Sequence, residues 1–160
     1  MCVLSDGEIK EYLKRQSLKI EPFVETNLTP NGIDLCAHEV WVEGMNEKII
    51  SASVAVPPHT RFMVSTKEKV SMPEDIVGML WIKTSLARKG IFGAFGLVDA
   101  GFRGTLTLGF YNGSKETISL SPDAKIVQLV FVKLNSNPDK LYGERSGHYQ
   151  NQEGITFSRI

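Results

Sequence analysis

Apolar residues recur at every second position in several short runs, and this period constrains the fold more than any other feature of the sequence. The clearest runs are residues 61–66, 105–111 and 125–131. Alternation of this kind is typical of β-strands with one buried face. Turn formers such as Pro57-Pro58 and residues 112–114 separate the runs at the spacing of hairpins and Greek-key connections. We therefore predict an all-β fold, a distorted antiparallel β-barrel or jelly roll.

Two segments depart from this period and predict short helices. Ser5 and Glu8 have the spacing of a capping box, and apolar residues follow at helical spacing. This pattern predicts a helix over about residues 6–15. Residues 84–90 begin with hydroxyls and end with basic residues and a glycine, which favours one or two helical turns between strands.

The length of 160 residues suits one domain with an adequate core. From residue 135 the chain becomes polar and glycine-containing, so we do not expect a core strand there. We predict a single domain over residues 1–160, with 135–160 as a C-terminal arm that orders on a ligand or a neighbouring subunit.

Composition excludes several classes of function. The 18 lysine and arginine residues balance 18 aspartate and glutamate residues, which argues against general binding to nucleic acid or acidic membranes. Cys2 and Cys36 are the only cysteines and the three histidines are scattered, so neither a disulfide framework nor a zinc quartet is expected. No leader or apolar run of membrane-spanning length is present, and we expect a cytoplasmic protein.

Residues 97–104 place the carboxylate of Asp99 directly after an apolar pair, with glycines on both sides of a Phe-Arg step. Those glycines allow a positive φ or a close approach of the backbone to a ligand. Taken alone, the segment is more often a β-turn with a solvated aspartate. Residues 83–88 join hydroxyls and cations in a way that suits phosphate, although a capped surface helix explains them equally well.

Two polar residues lie within apolar runs. Gln128 needs a hydrogen-bond partner there, because an unpaired buried amide costs about 1–3 kcal/mol. A phosphate oxygen is one candidate partner, and the backbone of a neighbouring strand is the more frequent one. Asp34 lies near a strand start, where it either faces the water shell of Mg²⁺ or ends a turn.

In their order and spacing, four segments resemble the motifs of the dUTPase and dCTP deaminase superfamily. They are residues 29–35, 83–90, 97–104 and 125–129. The joint match spans nearly the whole chain and is far more specific than any one segment. The resemblance implies a dUTPase-like β-fold and a homotrimer whose active sites are shared between subunits.

The N-terminal helix and the segment 148–152 are similar to the deaminase branch of this superfamily. That branch carries a glutamate as proton shuttle at the position of Gly109, and glycine cannot move a proton. The sequence therefore favours a dUTP diphosphatase that forms dUMP and diphosphate with Mg²⁺. The alternatives are a dCTP deaminase, or a bifunctional enzyme, with a relocated carboxylate such as Glu116, and a nucleotide-binding homologue without turnover.

The resemblance also implies roles for individual residues. Asp99 activates the attacking water, Phe102 packs on the deoxyribose, and Asp34 helps to hold the water shell of the metal. The hairpin 90–98, which is shorter than in the family, reads the base. The other substrate-binding residues that we expect are Lys83, Thr84, Ser85, Arg88, Phe95, Leu97, Gln128, His148, Tyr149 and Gln152. Lys83 replaces the usual arginine and His148 the usual lysine.

Overall fold

The computed structural model describes residues 2–159, and its secondary structure is mostly β. The helices are α1 (Asp6–Lys14), α2 (Thr84–Ala87) and α3 (Tyr142–Arg145), with one 3₁₀ turn at Glu25–Asn27. The strands in the first half are β1 (Cys2–Val3), β2 (Lys19–Glu21), β3 (Leu28–Thr29), β4 (Gly32–Val42), β5 (Ile49–Ile50), β6 (Val54–Val56), β7 (Arg61–Thr66), β8 (Lys69–Ser71) and β9 (Ile76–Ile82). Those in the second half are β10 (Ile91–Ala94), β11 (Leu97–Val98), β12 (Arg103–Gly104), β13 (Thr107–Asn112), β14 (Ile118–Leu120) and β15 (Lys125–Lys133).

One large curled sheet dominates the molecule. Its strands follow the order β10-β13-β7-β4-β15-β9-β11, with β1 added to β15 and β3 and β5 added to β4. Two small sheets, β12-β8-β2 and β14-β6, complete the fold, and every pair of these strands is antiparallel. The antiparallel β-fold predicted from the two-residue period is confirmed.

The predicted elements agree closely with the observed ones. β7 matches the run 61–66, whereas β13 begins two residues later and β15 ends two residues later than their runs. The capping box of α1 is formed, since the Ser5 backbone N–H donates to Glu8 Oε2 at 2.8 Å and the Glu8 N–H donates to Ser5 Oγ at 3.4 Å. The residues after α2 make further turns up to Gly90.

The hydrophobic core is built from residues of the large sheet and of α1. Phe62 and Phe110 stack there at a ring-centroid distance of 5.2 Å, and α1 contributes the fully buried Ile9. Burial of aromatic and branched side chains of this size is the main favourable term in folding. Among the described residues, no helix is long and apolar enough to cross a membrane.

After β15 the chain contributes no further strand among the described residues and folds back over its own sheet. Gln152 forms a parallel bridge with Gly104, and the Asn151 N–H donates to the Arg103 carbonyl at 2.7 Å. Ile155 is buried, and its N–H donates to Glu39 Oε2 at 2.6 Å. Residues 135–159 therefore make specific contacts with the chain that carries them.

Candidate active site

Asp99 stands at the first position of a tight turn directly after β11. The Phe102 N–H donates to the Asp99 carbonyl at 3.1 Å, and Gly101 has a φ of +82°. This geometry is that of a type II turn, which requires glycine at its third position. The Asp99 side chain is exposed, and no hydrogen bond or ion pair reaches its carboxylate from the part of the chain that the structure describes. The turn therefore presents a free carboxylate.

A cavity of about 170 Å³ opens beside this carboxylate. Its wall includes six of the predicted site residues: Phe95, Leu97, Asp99, Phe102, Tyr149 and Gln152. The remaining wall is mostly apolar and comes from the neighbouring strands and α3: Leu80, Ala94, Gly96, Val98, Leu106, Thr107, Leu108 and Tyr142. The fold thus gathers the residues of the third motif, the hairpin and the arm around one small cavity.

The polar groups of this cavity come mainly from the arm. Gln152 Nε2 donates to the Thr105 carbonyl at 2.8 Å, while Gln152 Oε1 is buried and has no partner among the described residues. A buried acceptor without a partner is costly, so it is suited to a donor on a ligand. Tyr142 lies edge-on to Phe102 with ring centroids 5.6 Å apart, and its hydroxyl oxygen accepts the Tyr149 N–H at 3.1 Å. Tyr142 was not among the predicted site residues, because no local sequence pattern links it to Phe102.

A second and larger cavity, of about 580 Å³, borders Asp99 on its other side. Lys140 and Arg145 line it, and neither cation forms an ion pair within residues 2–159. Asp139 is the other carboxylate on its wall. These cations were not among the predicted site residues, because charged residues on a polar arm carry no periodic signal. Asp99 therefore borders both cavities.

The other half of the predicted site residues lies around the ends of β4, β9 and β15. Lys83 Nζ contacts Asp34 Oδ1 at 2.8 Å, and Lys125 Nζ contacts Asp34 Oδ2 at 3.4 Å. The Asp34 side chain is 6% exposed, whereas those of Lys83 and Lys125 are 27% and 41% exposed. We call these three residues the lysine cluster. Lys125 was not among the predicted site residues.

The residues next to the lysine cluster also belong to the predicted site. Gln128 Nε2 donates to Thr29 Oγ1 at 2.6 Å, so a hydroxyl of β3 is the partner that its amide required. The Lys83 N–H donates to the Ile126 carbonyl at 3.0 Å, which fixes the start of α2 on β15. Thr84 and Ser85 follow with exposed side chains. These hydroxyls and ammonium groups form a surface that suits an anion.

Strand β9 separates the two halves of the site within one chain. Asp99 follows Val98, whose partner is Gly78 near the start of β9, whereas Lys83 follows the end of β9. From Val77 to Lys83 an extended strand rises roughly 20 Å. Neither Lys83 nor Gln128 lines a cavity at Asp99.

The sheet face between the two halves is apolar and exposed. Asp34, Gln128 and Trp81 are successive cross-strand partners, so their side chains share this face. Met79 and Leu97 are also partners on it. The side chains of Trp81 and Leu97 remain 58% and 60% exposed, which is unusual for large apolar residues and typical of an interaction surface.

Two further predicted contact residues, Arg88 and His148, also lie outside both cavities. Arg88 ends α2 with an exposed side chain. His148 is exposed, and its carbonyl accepts a hydrogen bond from Arg159 Nη1 at 2.7 Å. Their roles in substrate binding stay predictions.

Gly109 lies on the outer face of β13, opposite Ala94 and Met63 in the neighbouring strands. A Cβ atom at this position would meet no other atom within 4 Å. Space for a side chain is thus available, and the sequence leaves it empty. Glu116 is exposed and lines neither cavity at Asp99.

A buried titratable pair lies beside the lysine cluster, because Cys36 is the cross-strand partner of Lys125. The Cys36 N–H donates to Glu68 Oε2 at 2.9 Å, and both residues are buried. Burial raises the pKa of the Glu68 carboxyl above its usual value of 4.5 and raises the pKa of the Cys36 thiol to about 11. A thiol with such a pKa stays protonated at neutral pH and is a poor nucleophile.

The described residues contain no group of three or more histidine, cysteine, aspartate or glutamate side chains placed to hold a metal ion. Both oxygens of Asp34 face ammonium groups, so this carboxylate does not fit a direct metal contact. Asp99 has a free carboxylate, but no second acidic side chain among the described residues lines the smaller cavity. Any Mg²⁺ at this site would take most of its ligands from substrate and water, as this ion commonly does.

Comparisons with known proteins agree with the fold. The family model for dCTP deaminase-like proteins matches residues 3–134. A protein of Pyrococcus horikoshii named dCTP deaminase is 39% identical over 150 residues, which cover 91% of this chain and 92% of that protein. A Sulfolobus islandicus rod-shaped virus 1 protein, named as a probable deoxyuridine 5'-triphosphate nucleotidohydrolase, is 31% identical and covers 98% of both chains. The chain belongs to the dCTP deaminase-like family, whose members are enzymes of nucleotide metabolism.

Solved structures show the same fold at low sequence identity. The 2'-deoxycytidine 5'-triphosphate deaminase of Agrobacterium tumefaciens matches with a TM-score of 0.71 and 17% identity. The match covers 83% of this chain and 48% of that one, so this chain spans about half the length of the bacterial protein. A dUTPase from phage phi11 of S. aureus, described with a structural Mg(II) ion, matches with a TM-score of 0.54 and 20% identity over 77% of this chain and 94% of that one.

Proposed function

We propose that the protein is a dUTP diphosphatase that converts dUTP and water to dUMP and diphosphate. One observation carries this proposal: Asp99 is the only carboxylate among the described residues that line the smaller cavity, and the open space at Gly109 holds no side chain. Deamination at a pyrimidine ring needs a group that moves protons to and from the base. Hydrolysis of a phosphoanhydride needs one base for water, and Asp99 supplies it.

The smaller cavity suits a base and deoxyribose, because its wall combines apolar side chains, Phe102 among them, with a few polar groups. The unpartnered Gln152 Oε1 would accept a hydrogen bond from the bound nucleoside. With the sugar in this space, the phosphates would extend past Asp99 toward the larger cavity. Lys140 and Arg145 on its wall would then attract their negative charge.

In the proposed reaction, the Asp99 carboxylate orients a water molecule and accepts its proton as the oxygen attacks the α-phosphorus. A bond forms between this oxygen and phosphorus, the bond to the bridging oxygen breaks, and diphosphate leaves with the electron pair. Positioned cations stabilise the charge that develops on the phosphate oxygens. Magnesium ion bound to the triphosphate would supply further positive charge there.

We also propose that the active enzyme is an oligomer, most simply the homotrimer that the sequence resemblance implies, with sites shared between subunits. The support is geometric. A triphosphate chain is too short to reach from Asp99 to the lysine cluster along β9, a distance of roughly 20 Å. The exposed Trp81 and Leu97 between them provide an apolar surface on which a second copy would bring its lysine cluster to Asp99.

The relatives favour a second candidate function. The Pyrococcus horikoshii protein and several other archaeal relatives carry the name dCTP deaminase. This activity would require a proton shuttle other than residue 109, and Glu116 remains the alternative from the sequence. The third possibility is a homologue that binds nucleotide without turnover and releases neither diphosphate nor ammonia.

One assay separates these functions. Purified protein is incubated with Mg²⁺ and separately with dUTP, dCTP and dTTP, and both diphosphate and ammonia are measured. Release of diphosphate from dUTP alone is the expected result. Ammonia from dCTP would establish deamination instead, and nucleotide binding without either product would establish the third class.

A further inference from the structure

The lysine cluster contains more positive than negative charge. One carboxylate, Asp34, contacts two ammonium groups, those of Lys83 and Lys125, at 2.8 and 3.4 Å. If all three groups are ionised, the cluster has a net charge of +1. Because the Asp34 side chain is 6% exposed and both lysines are more exposed, an incoming ligand meets the ammonium groups and not the carboxylate.

Lysine side chains are long and flexible, so an isolated ammonium group loses considerable entropy when a ligand fixes it. Here Asp34 already restrains both ammonium groups, and the carbonyl of Thr26 accepts from Lys125 Nζ at 3.3 Å. Asp34 itself is fixed within β4, where its cross-strand partner is Gln128. The two positive charges are therefore held in place before any ligand arrives, which lowers the cost of binding.

We propose that Asp34 is a positioning residue that holds Lys83 and Lys125 for the phosphate oxygens of the nucleotide, and that it is not a metal-binding residue. The proposal rests on the proposed function, because it takes the triphosphate as the anion. It makes Lys125 a further phosphate-binding residue. The neighbouring hydroxyls of Thr84 and Ser85 are exposed and available to the same ligand.

Asp34→Asn tests the proposal, since it keeps the shape of the side chain and removes its charge. The matched control is Asp123→Asn, because Asp123 forms an exposed ion pair of 2.7 Å with Lys67. Steady-state kinetics with dUTP are measured over a range of Mg²⁺ concentrations. For Asp34→Asn we expect KM to rise about ten-fold, the equivalent of one charge-assisted hydrogen bond, with little change in kcat. The Mg²⁺ concentration for half-maximal rate stays that of the parent.

A metal role for Asp34 gives the opposite pattern. The Mg²⁺ requirement would then rise several-fold, and KM at saturating Mg²⁺ would match the parent value, which would overturn the proposal. Equal behaviour of Asp34→Asn and Asp123→Asn would overturn it as well. Thermal melting of each variant shows whether it is folded. If Asp34→Asn is not folded, Lys125→Met is measured in its place, because it leaves the Asp34–Lys83 pair intact. Lys125→Met should still raise KM. A KM equal to that of the parent in this variant would contradict the proposal.

A double substitution probes positioning more directly. Arginine at position 83 has a rigid planar fork and depends less on an anchor than lysine does. Asp34→Asn should therefore raise KM less in a Lys83→Arg background than in the parent. An equal rise in both backgrounds would show that Asp34 does not act by holding the residue at position 83.

The positioning role of Asp34 can be tested separately from the hydrolysis of dUTP. Binding of inorganic triphosphate, measured by calorimetry without Mg²⁺, depends on the ammonium groups and not on hydrolysis. Weaker binding to Asp34→Asn than to Asp123→Asn supports the positioning role even if the parent protein does not hydrolyse dUTP. Equal binding would contradict the role even if the parent is an active diphosphatase.

Discussion

The backbone of Gln152 pairs with that of Gly104, and this bridge fixes the C-terminal arm on the wall of the Asp99 cavity. The Thr105 N–H extends the contact by donating to the Gln152 carbonyl at 3.0 Å. Gly104 has a φ of +143°, and a Cβ atom there would lie 2.8 Å from the Gln152 carbonyl oxygen. Both the conformation and the close approach require glycine. The attachment of the arm therefore depends on glycine at position 104.

Gly104→Ala should detach the arm while the core sheet stays folded. We expect faster proteolytic cleavage after residue 134 and a loss of nucleotide affinity of about ten-fold or more, because Gln152 and Tyr149 leave the cavity wall. Limited proteolysis and calorimetry with dUMP measure both effects. Gly44→Ala is the control, since Gly44 also has a positive φ, of +91°, but its Cβ would meet nothing within 4 Å. An arm equally protected in Gly104→Ala and in the parent would contradict the prediction.

Asp99→Asn should keep the fold and nucleotide binding while it lowers kcat for dUTP by about 10²–10⁴-fold, because the amide cannot accept a proton from water. Single-turnover hydrolysis and dUMP binding separate the two effects. Asp139→Asn, at the wall of the larger cavity, is the control and should retain most of the turnover. Turnover by Asp99→Asn near the parent rate would show that Asp99 is not the base.

Trp81→Glu should weaken subunit association. The change puts a charge on an apolar surface that the proposed assembly buries, and an unpaired buried charge is strongly unfavourable. Sedimentation over a range of concentrations should show smaller species, with activity lost in parallel. Ile50→Glu is the control, because Ile50 is 50% exposed on β5, away from this face. If Trp81→Glu forms the same oligomer as the parent, this surface is not part of the subunit interface.

Strand positions were predictable from the sequence because alternation reports directly on which side chains face the core. The run 61–66 coincides with β7 for this reason. The pairing of Lys83 with Asp34 was not predictable, because these residues are 49 positions apart and meet only through the order β4-β15-β9. Alternation carries no information about strand order. The partner of Gln128 on β3 and the place of Tyr142 beside Phe102 were missed for the same reason.

Glu68 should make the stability of the protein depend on pH. Its folded-state pKa is raised by burial above 4.5, so its protonated form is favoured in the folded state. This contribution to stability is complete below the unfolded pKa and is lost as the pH rises through the folded pKa. Glu68→Gln removes the titration and keeps an acceptor for the Cys36 N–H. In urea unfolding from pH 4 upward, the free energy of unfolding of Glu68→Gln should therefore rise relative to that of the parent. Glu47→Gln, a change at an exposed position, should show no such rise.

Gly109→Glu should fold normally, since the new side chain enters open space. Thr107 lies on the same face of β13 and lines the Asp99 cavity, and Ala94, the strand partner of Gly109, lines it as well. A carboxylate at 109 would therefore stand at the margin of the nucleotide site, where it can transfer protons to a bound base. We expect Gly109→Glu to release measurable ammonia from dCTP, whereas Gly109→Gln, of similar size and without a titratable group, should release none. If the parent already deaminates dCTP and Gly109→Glu adds nothing, the missing carboxylate is not what separates the two reactions.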